Sequence, residues 1–316
     1  MPAPRVSIII PTHNRERYLS ESIASVLSQT LRELELIVVD DGSTDSTAAV
    51  VAANGDDRVR YFPRAHAGLS VSLNFGISQA RGEYIGRLDS DDLLLPDALA
   101  TLVAALDANR GVGVVWARAR FMNRDGRDLQ RTKGGPEHFP GDLLRSLLYD
   151  DCTTCQAILV RAACFDRVGL YDETLEYSED WDIAIRLARH FTFQFIDRIV
   201  ARVREHEDSL TGKHAPQRAT FLRTRTGPLD KLFSDPYLPA AIVAMQPTAY
   251  ANVHIFCGRM WLSTCNLGNA SREFACAIRV SGRPFATAIE IAWRVGLVQI
   301  LERSRVGRRI LTAFAG

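Results

Sequence analysis

Between residues 6 and 205 the apolar positions of this chain switch repeatedly between short continuous runs and a helical spacing. The run "VSIII" at 6–10 is rich in β-branched residues and stops at Pro11, which predicts a strand buried on both faces. Leu19, Ile23, Val26 and Leu27 then recur at helical spacing within 18–29. A strand at 34–40 ("LELIVVD") and a Ser/Thr-capped helix at 43–53 follow. A strand at 58–62, a helix at 69–80 and a strand at 83–88 continue the series. Strands alternating with helices predict a mostly parallel sheet flanked by helices, with right-handed crossovers. Ligand sites in such sheets lie beyond the carboxyl ends of the strands.

Farther along, the pattern predicts a helix at 97–108 with Pro96 before its first turn and a long strand at 112–122 ended by the turn "NRDG". A helix at 142–149, a strand at 155–161 and a helix at 179–190 come next, the last with Ile183, Ala184 and Leu187 on one face. Residues 191–197 and 199–205 read as a terminal hairpin, and the segment 131–142 as a loop. From about residue 215 the alternation stops, and 217–316 reads as mostly helical and punctuated by prolines. Two regions are therefore expected, an α/β domain over 1–212 and a helical one over 213–316.

Composition leaves this picture intact and charge adds to it. Of 316 residues, 47% are hydrophobic and 24% charged, enough to build a core, and a net charge of +1 argues against a nucleic-acid partner. The charge is uneven: 25 basic residues face 32 acidic ones over 1–216, but 13 face 5 over 217–316. Such asymmetry suggests a metal or substrate site in front and an anionic surface partner behind. Six scattered cysteines make no disulfide framework, and "CTTC" at 152–155 lacks the second pair a zinc site needs, so buried thiols in a reducing, cytoplasmic compartment are expected. The first apolar run is too short for a signal peptide, and Glu290, Arg294 and Glu302 interrupt the apolar 290s, so no spanning segment is expected.

The acidic clusters Asp40-Asp41 and Asp89-Ser90-Asp91-Asp92 both fall at strand ends, hence on one edge of the sheet. A solvated turn with one capping Asp accounts for one carboxylate of the second cluster. Asp89 and Asp91, one residue apart, converge on a point where a cation is needed to offset their repulsion. Hard oxygen ligands favour Mg²⁺ or Mn²⁺, commonly held by one or two carboxylates and the phosphates of a substrate.

Four stretches in order, "VSIIIPTHNRERYLSESIASVLSQT", "ELIVVDDGSTDST", "GLSVSLNFGISQARGEYIGRLDSDDLLLPDAL" and "EDWDIAIRLA", together resemble the inverting nucleotide-sugar glycosyltransferases of family 2. The resemblance covers roughly residues 4 to 210. It implies the GT-A fold, a Rossmann-like nucleotide-binding sheet, here followed by a mostly helical C-terminal region. It also implies that Asp41 accepts a hydrogen bond from uracil N3–H and that Pro11 and Thr12 line the nucleoside pocket. Asp89 and Ser90 then lie against the donor and Asp89 near the metal, Asp91 is the metal-binding acid, and Asp180 is the catalytic base. His206 resembles a position that approaches the metal or the diphosphate, although the tyrosine usual in "YRxH" is Val203 here. Trp181 offers an aromatic face for stacking on a sugar. Asp180 and Glu179 equally suit a helix N-terminus, where acids interact with the macrodipole.

The activity so implied is transfer of a sugar from a nucleoside-diphosphate sugar, a UDP-sugar by the base-binding motif, to a hydroxyl of a glycan or lipid-linked acceptor in cell-surface polysaccharide or glycoconjugate synthesis. Two alternatives stand beside it: a metal-dependent sugar nucleotidyltransferase, from which a Gly-rich basic loop is expected where "PTHNRERY" has no glycine, and a non-catalytic nucleotide-sugar-binding protein. In the C-terminal region, Ile289, Trp293, Leu297, Ile300, Leu311 and Phe314 fall on one helical stripe flanked by arginines. That stripe is read either as packing on the catalytic domain or as peripheral contact with the inner face of the membrane. A contact between copies of the chain is a further reading of this region.

Overall fold

In the computed structural model, which describes residues 3–135, 139, 141–149, 152–206, 218–263 and 265–295, the chain divides into two compact units. One comprises residues 1–147 and 151–213, the other residues 148–150 and 214–316.

The first unit opens with β1 (Val6–Thr12), α1 (Glu16–Leu27), β2 (Leu34–Asp41), α2 (Thr47–Ala52), β3 (Val59–Arg64), α3 (Leu69–Gln79) and β4 (Tyr84–Arg87). These four strands pair in parallel in the order β3-β2-β1-β4. The continuous apolar runs of β1 and β2 follow from burial on both faces. Ile8, Ile10, Leu36 and Val38 join a core with Leu19, Ile23 and Val26 of α1, while Ile9, Ile37 and Val39 pack with Leu73 of α3 on the other side. Pro11 sits within a central strand, where a missing donor is ordinarily costly. The Ile9 carbonyl accepts from Leu88 N, so Pro11, two residues on, turns its donor-less nitrogen toward the same side, beyond the last residue of β1 that pairs with β4.

The sheet then becomes mixed. After β5 (Leu93–Leu94), α4 (Ala98–Ala108), β6 (Val112–Asn123), β7 (Asp128–Lys133) and α5 (Leu143–Tyr149), a 3₁₀ turn at Cys155–Ala157 leads into β8 (Ile158–Arg161). α6 (Ala163–Val168), α7 (Glu179–His190) and β9 (Thr192–Glu205) complete the unit. β8 runs antiparallel between β4 and β6, β9 lies parallel to β6, and β5 and β7 pair antiparallel with β9 and β6. Half of the strand pairings are thus antiparallel, more than the alternation implied. The expected hairpin at 191–205 is one fourteen-residue strand. Irregularities in its register against β6 absorb the bend at Ala117–Ala119, and no turn forms. β7 also occupies the start of the segment read as a loop.

The second unit contains α8 (Arg218–Phe233), α9 (Ala240–Val243), α10 (Gln246–Ser263), α11 (Leu267–Val280) and α12 (Pro284–Arg294). Ala251, Ile255, Ala277 and Ile291 form its small core, and His254 Nδ1 lies 2.7 Å from the buried Glu273 carboxylate. Among the described residues no helix is long and apolar enough to cross a membrane. The six cysteines are unpaired thiols. Of the expected C-terminal stripe, Leu297, Ile300, Leu311 and Phe314 lie outside the described residues.

Candidate active site

The carboxyl ends of β1, β2 and β4 carry most of the polar residues singled out in the sequence, the first turn of α7 carries Asp180 and Trp181, and His206 follows the end of β9. At the end of β2, Gly42 has φ +75°, and a Cβ there would meet His66 N at 2.8 Å. Only glycine lets the 64–68 segment close over the strand end. Asp41 holds that segment: its carboxylate accepts from Ala67 N (2.7 Å) and Gly68 N (2.9 Å), and it is buried. Asp40 accepts from Ser43 N and from the Tyr61 hydroxyl. Burial, reinforced by that bond, pushes the Tyr61 phenol well up. Two histidines absent from the sequence reading complete the end of the strand. His13 and His66 lie ring to ring at 4.5 Å; His13 Nδ1 lies 2.8 Å from the Asp41 carbonyl oxygen, and His66 Nδ1 lies 2.8 Å from Asp41 Oδ2 and 3.1 Å from the carbonyl. Pro11 and Thr12 pair with Val39 and Asp40, and the buried Thr12 Oγ1 has no hydrogen-bond partner among the described residues.

The crowding of acids after β4 resolves when each carboxylate is followed to its partner. Asp89 accepts from Arg87 Nε and from Gln156 Nε2, both at 2.7 Å. Asp92 is almost wholly buried and accepts from Arg204 N at 2.7 Å. Burial first, then the charges of Asp91 and Asp89, hold its carboxyl well above the usual range. Asp91 remains. Its Oδ2 lies 3.0 Å from His206 Nε2 and 3.6 Å from Arg15 Nε. Ser90 is buried within the turn.

Asp91 and His206 are thus brought together from 115 residues apart. Asp89, expected near the metal, turns both of its oxygens to Arg87 and Gln156. Among the described residues no group of three or more His, Cys, Asp or Glu side chains gathers where a metal ion would be held. A carboxylate beside an imidazole, with His206 Nδ1 buried and unpartnered among the described residues, still suits a Mg²⁺ or Mn²⁺ that takes its other ligands from phosphate and water.

The acids opening α7 sort in the same way. Glu179 Oε1 accepts from Arg87 Nη1 at 2.9 Å, and Asp182 pairs with Arg186 at 2.6 Å. Burial and the Asp180 charge push the Glu179 carboxyl up, against the opposing pull of Arg87. Asp180 is half-buried, and its Oδ1 accepts from Trp181 N at 2.8 Å. Among the described residues it alone of the three acids pairs with no arginine. Trp181, expected to face a sugar, is instead buried, with its indole Nε1 donating to the Leu147 carbonyl at 3.1 Å. The helix α7 is buried on two sides: Trp181 lies with Ile185 on one, and Ile183 and Leu187 lie on the other. Asp180 also lines a mainly apolar cavity with Cys155, Tyr171, Ile183 and Phe193. Neither Asp41, Asp91 nor His206 borders that cavity, which belongs to the packing behind the helix.

Two arginines missed in the sequence organise the site. Arg87, nearly inaccessible, spans Asp89 and Glu179 with one guanidinium. Arg204 donates to the Asp91 and Arg124 carbonyls and to Glu21, and stacks 4.7 Å from the Tyr18 ring, whose own centroid is 4.9 Å from that of His206. A charged residue inside the buried run "YIGRL" was the available signal for the first. Arg87→Lys retains the charge and loses the fork, leaving one buried carboxylate without its donor. It is expected to lower unfolding free energy by about 1–3 kcal/mol, read from urea titration, and an unchanged midpoint would remove the bridge from the account.

The model of the family described as "Glycosyl transferase family 2" matches residues 7–165. An uncharacterized glycosyltransferase of Rickettsia typhi is 31% identical over 241 residues, 73% of each chain. Among solved structures, residues 1–349 of S. aureus TarS in complex with UDP-GlcNAc align with a TM-score of 0.70 at 18% identity, covering 92% of both chains. The mannosyltransferase PcManGT from Pyrobaculum calidifontis, in complex with GDP-Man and Mn²⁺, aligns with a TM-score of 0.62 at 20% identity, covering 98% of this chain and 84% of its own. These two likenesses establish the GT-A type of fold.

Proposed function

The chain belongs to glycosyl transferase family 2, and from that premise we propose that it transfers a sugar, with inversion, from a UDP-sugar to a hydroxyl of a glycan or lipid-linked acceptor in cell-surface polysaccharide or glycoconjugate synthesis. The observation that carries this reading is the Arg87 bridge, since one buried guanidinium joins Asp89, the first acid of the DxD turn, to Glu179, the neighbour of Asp180. Donor-side and acceptor-side chemistry are thereby held to one place.

In the proposed reaction Asp180 takes the proton of the acceptor hydroxyl, which attacks the anomeric carbon from the side opposite the departing nucleoside diphosphate. The amide of Trp181 occupies Asp180 Oδ1 and orients the carboxylate, so that Oδ2 receives the proton. Asp91 and His206 would hold Mg²⁺ or Mn²⁺, which when bound supplies Lewis-acid stabilisation of the leaving diphosphate. Arg15, at the entry to α1, adds a cation facing the same carboxylate. Asp41 receives the base: Oδ2 accepts from Gly68 N and lies 2.8 Å from His66 Nδ1, while Oδ1 accepts from Ala67 N and keeps a second lone pair for uracil N3–H. Pro11 and Thr12, at the end of β1 beside Val39 and Asp40, line the nucleoside side of the site.

A screen of nucleotide sugars for hydrolysis in the absence of acceptor tests this. A UDP-sugar is expected to be consumed with Mg²⁺ or Mn²⁺ present, with the rate falling at least about tenfold in chelator. Consumption of a nucleoside triphosphate with a sugar phosphate, and of no nucleotide sugar, would overturn the proposal.

A further inference from the structure

α12 is apolar on two opposite faces. Thr287 and Ile291 turn inward, Ile291 packing with Ala251, Ile255 and Ala277. Phe285, Ile289 and Trp293, spaced four residues apart on the other side, are 86%, 64% and 67% exposed. A helix that only closes a core has no use for a second apolar stripe, and three large side chains in line on one turn after another form a patch rather than scattered exposure.

The charge around this stripe is one-sided. From 264 to 316 the sequence carries eight arginines and three glutamates. Glu273 is wholly buried beside His254, and Glu290 accepts from the Tyr149 hydroxyl at 2.9 Å. Among the described residues 265–295 no carboxylate is exposed, whereas Arg272, Arg279 and Arg283 are. Arg303, Arg305, Arg308 and Arg309 follow in the sequence, with Glu302 the one acid beyond the helix.

We propose that the outer stripe of α12, Phe285, Ile289 and Trp293, together with the exposed Arg272, Arg279 and Arg283 of the same segment, is a docking surface for an anionic phospholipid membrane. Aromatic and aliphatic side chains enter the headgroup–acyl boundary, and arginines meet the lipid phosphates while their aliphatic stems cover apolar surface. Neither element suffices alone: a short apolar stripe gives weak partitioning, and each basic residue at the surface multiplies it by about fivefold. A segment whose described residues expose arginines and no carboxylate is suited to anionic lipid, and less to a second copy of the same cationic segment, which would repel it.

Co-sedimentation of the full chain with vesicles of phosphatidylglycerol and phosphatidylcholine, against vesicles of phosphatidylcholine alone, tests the assignment. The anionic vesicles are expected to bind at least about tenfold more protein, the difference shrinking as salt is raised, with a blue shift in tryptophan emission. Replacing Phe285, Ile289 and Trp293 together by Ser is expected to lower that binding about tenfold or more with circular dichroism and donor hydrolysis unchanged. Because the three side chains are exposed, a folded variant is expected, and single Ser variants serve if it is not. Absence of binding, equal binding to neutral vesicles, or equal binding by the variant would overturn the proposal. So would a dimer in light scattering that the variant abolishes without any loss of vesicle binding, which would assign the stripe to a second copy.

Discussion

Asp180→Asn is expected to lower turnover by roughly two to four orders of magnitude while the affinity for nucleoside diphosphate stays within a few-fold. The amide keeps the shape and still accepts from Trp181 N, so the first turn of α7 is preserved. What is lost is the ability of Oδ2 to take a proton. Its neighbours cannot substitute, since Glu179 is spent on Arg87 and Asp182 on Arg186. Initial rates with donor and acceptor, set beside calorimetry with the nucleoside diphosphate, separate the two quantities. A variant with normal turnover and a large loss of affinity would move Asp180 from the chemistry to donor binding. Glu179→Gln offers a contrast: it removes a buried charge opposite Arg87 and is expected to act on stability, since the side chain is inaccessible to an acceptor.

That both acidic clusters share an edge was legible because period reveals element type, and element type places strand ends. Which acid of each cluster does chemistry was not. In "DSDD" and "EDWD" the carboxylates are equivalent in sequence, and they become different only through Arg87, Gln156, Arg186 and the amide of Arg204, contacts made mostly across many residues of chain. Trp181 shows the converse. Its neighbours in sequence are acids, which suggested a wet aromatic face, whereas Ile185, one turn on, continues a second apolar side of α7 that is also buried. The strand over 192–205 was misread for a related reason. Asp197 and Arg198 look like a turn, yet they are exposed positions on a bent strand, with Arg118 reaching Asp197 and Asp97 reaching Arg198. β7 was missed because "DLQRTK" is a polar strand whose register is set by β6 alone.

Asp91→Asn carries the other large effect: a fall in transfer of about 10³-fold or more, the loss that several kcal/mol of leaving-group stabilisation represents. The side chain contributes a charge at the point where His206 Nε2 and Arg15 Nε also arrive, and Asn keeps an oxygen there without the charge. Nucleoside diphosphate affinity is expected to lose its dependence on divalent metal, and titration with Mn²⁺ to move to higher concentration. His206→Gln is expected to give the same signature more weakly, and the double variant to fall short of the sum, because two groups that hold one ion fail together. Asp89→Asn distinguishes this from a general effect of lost charge. Its oxygens hold Arg87 and Gln156, so the metal titration is expected to stay in place while the midpoint of urea unfolding falls, the arginine being left with Glu179 as its one carboxylate partner. If instead Asp91→Asn retained full activity in chelator, and Asp89→Asn alone shifted the metal titration, the roles of the two acids would be exchanged and His206 would have no part in holding the ion.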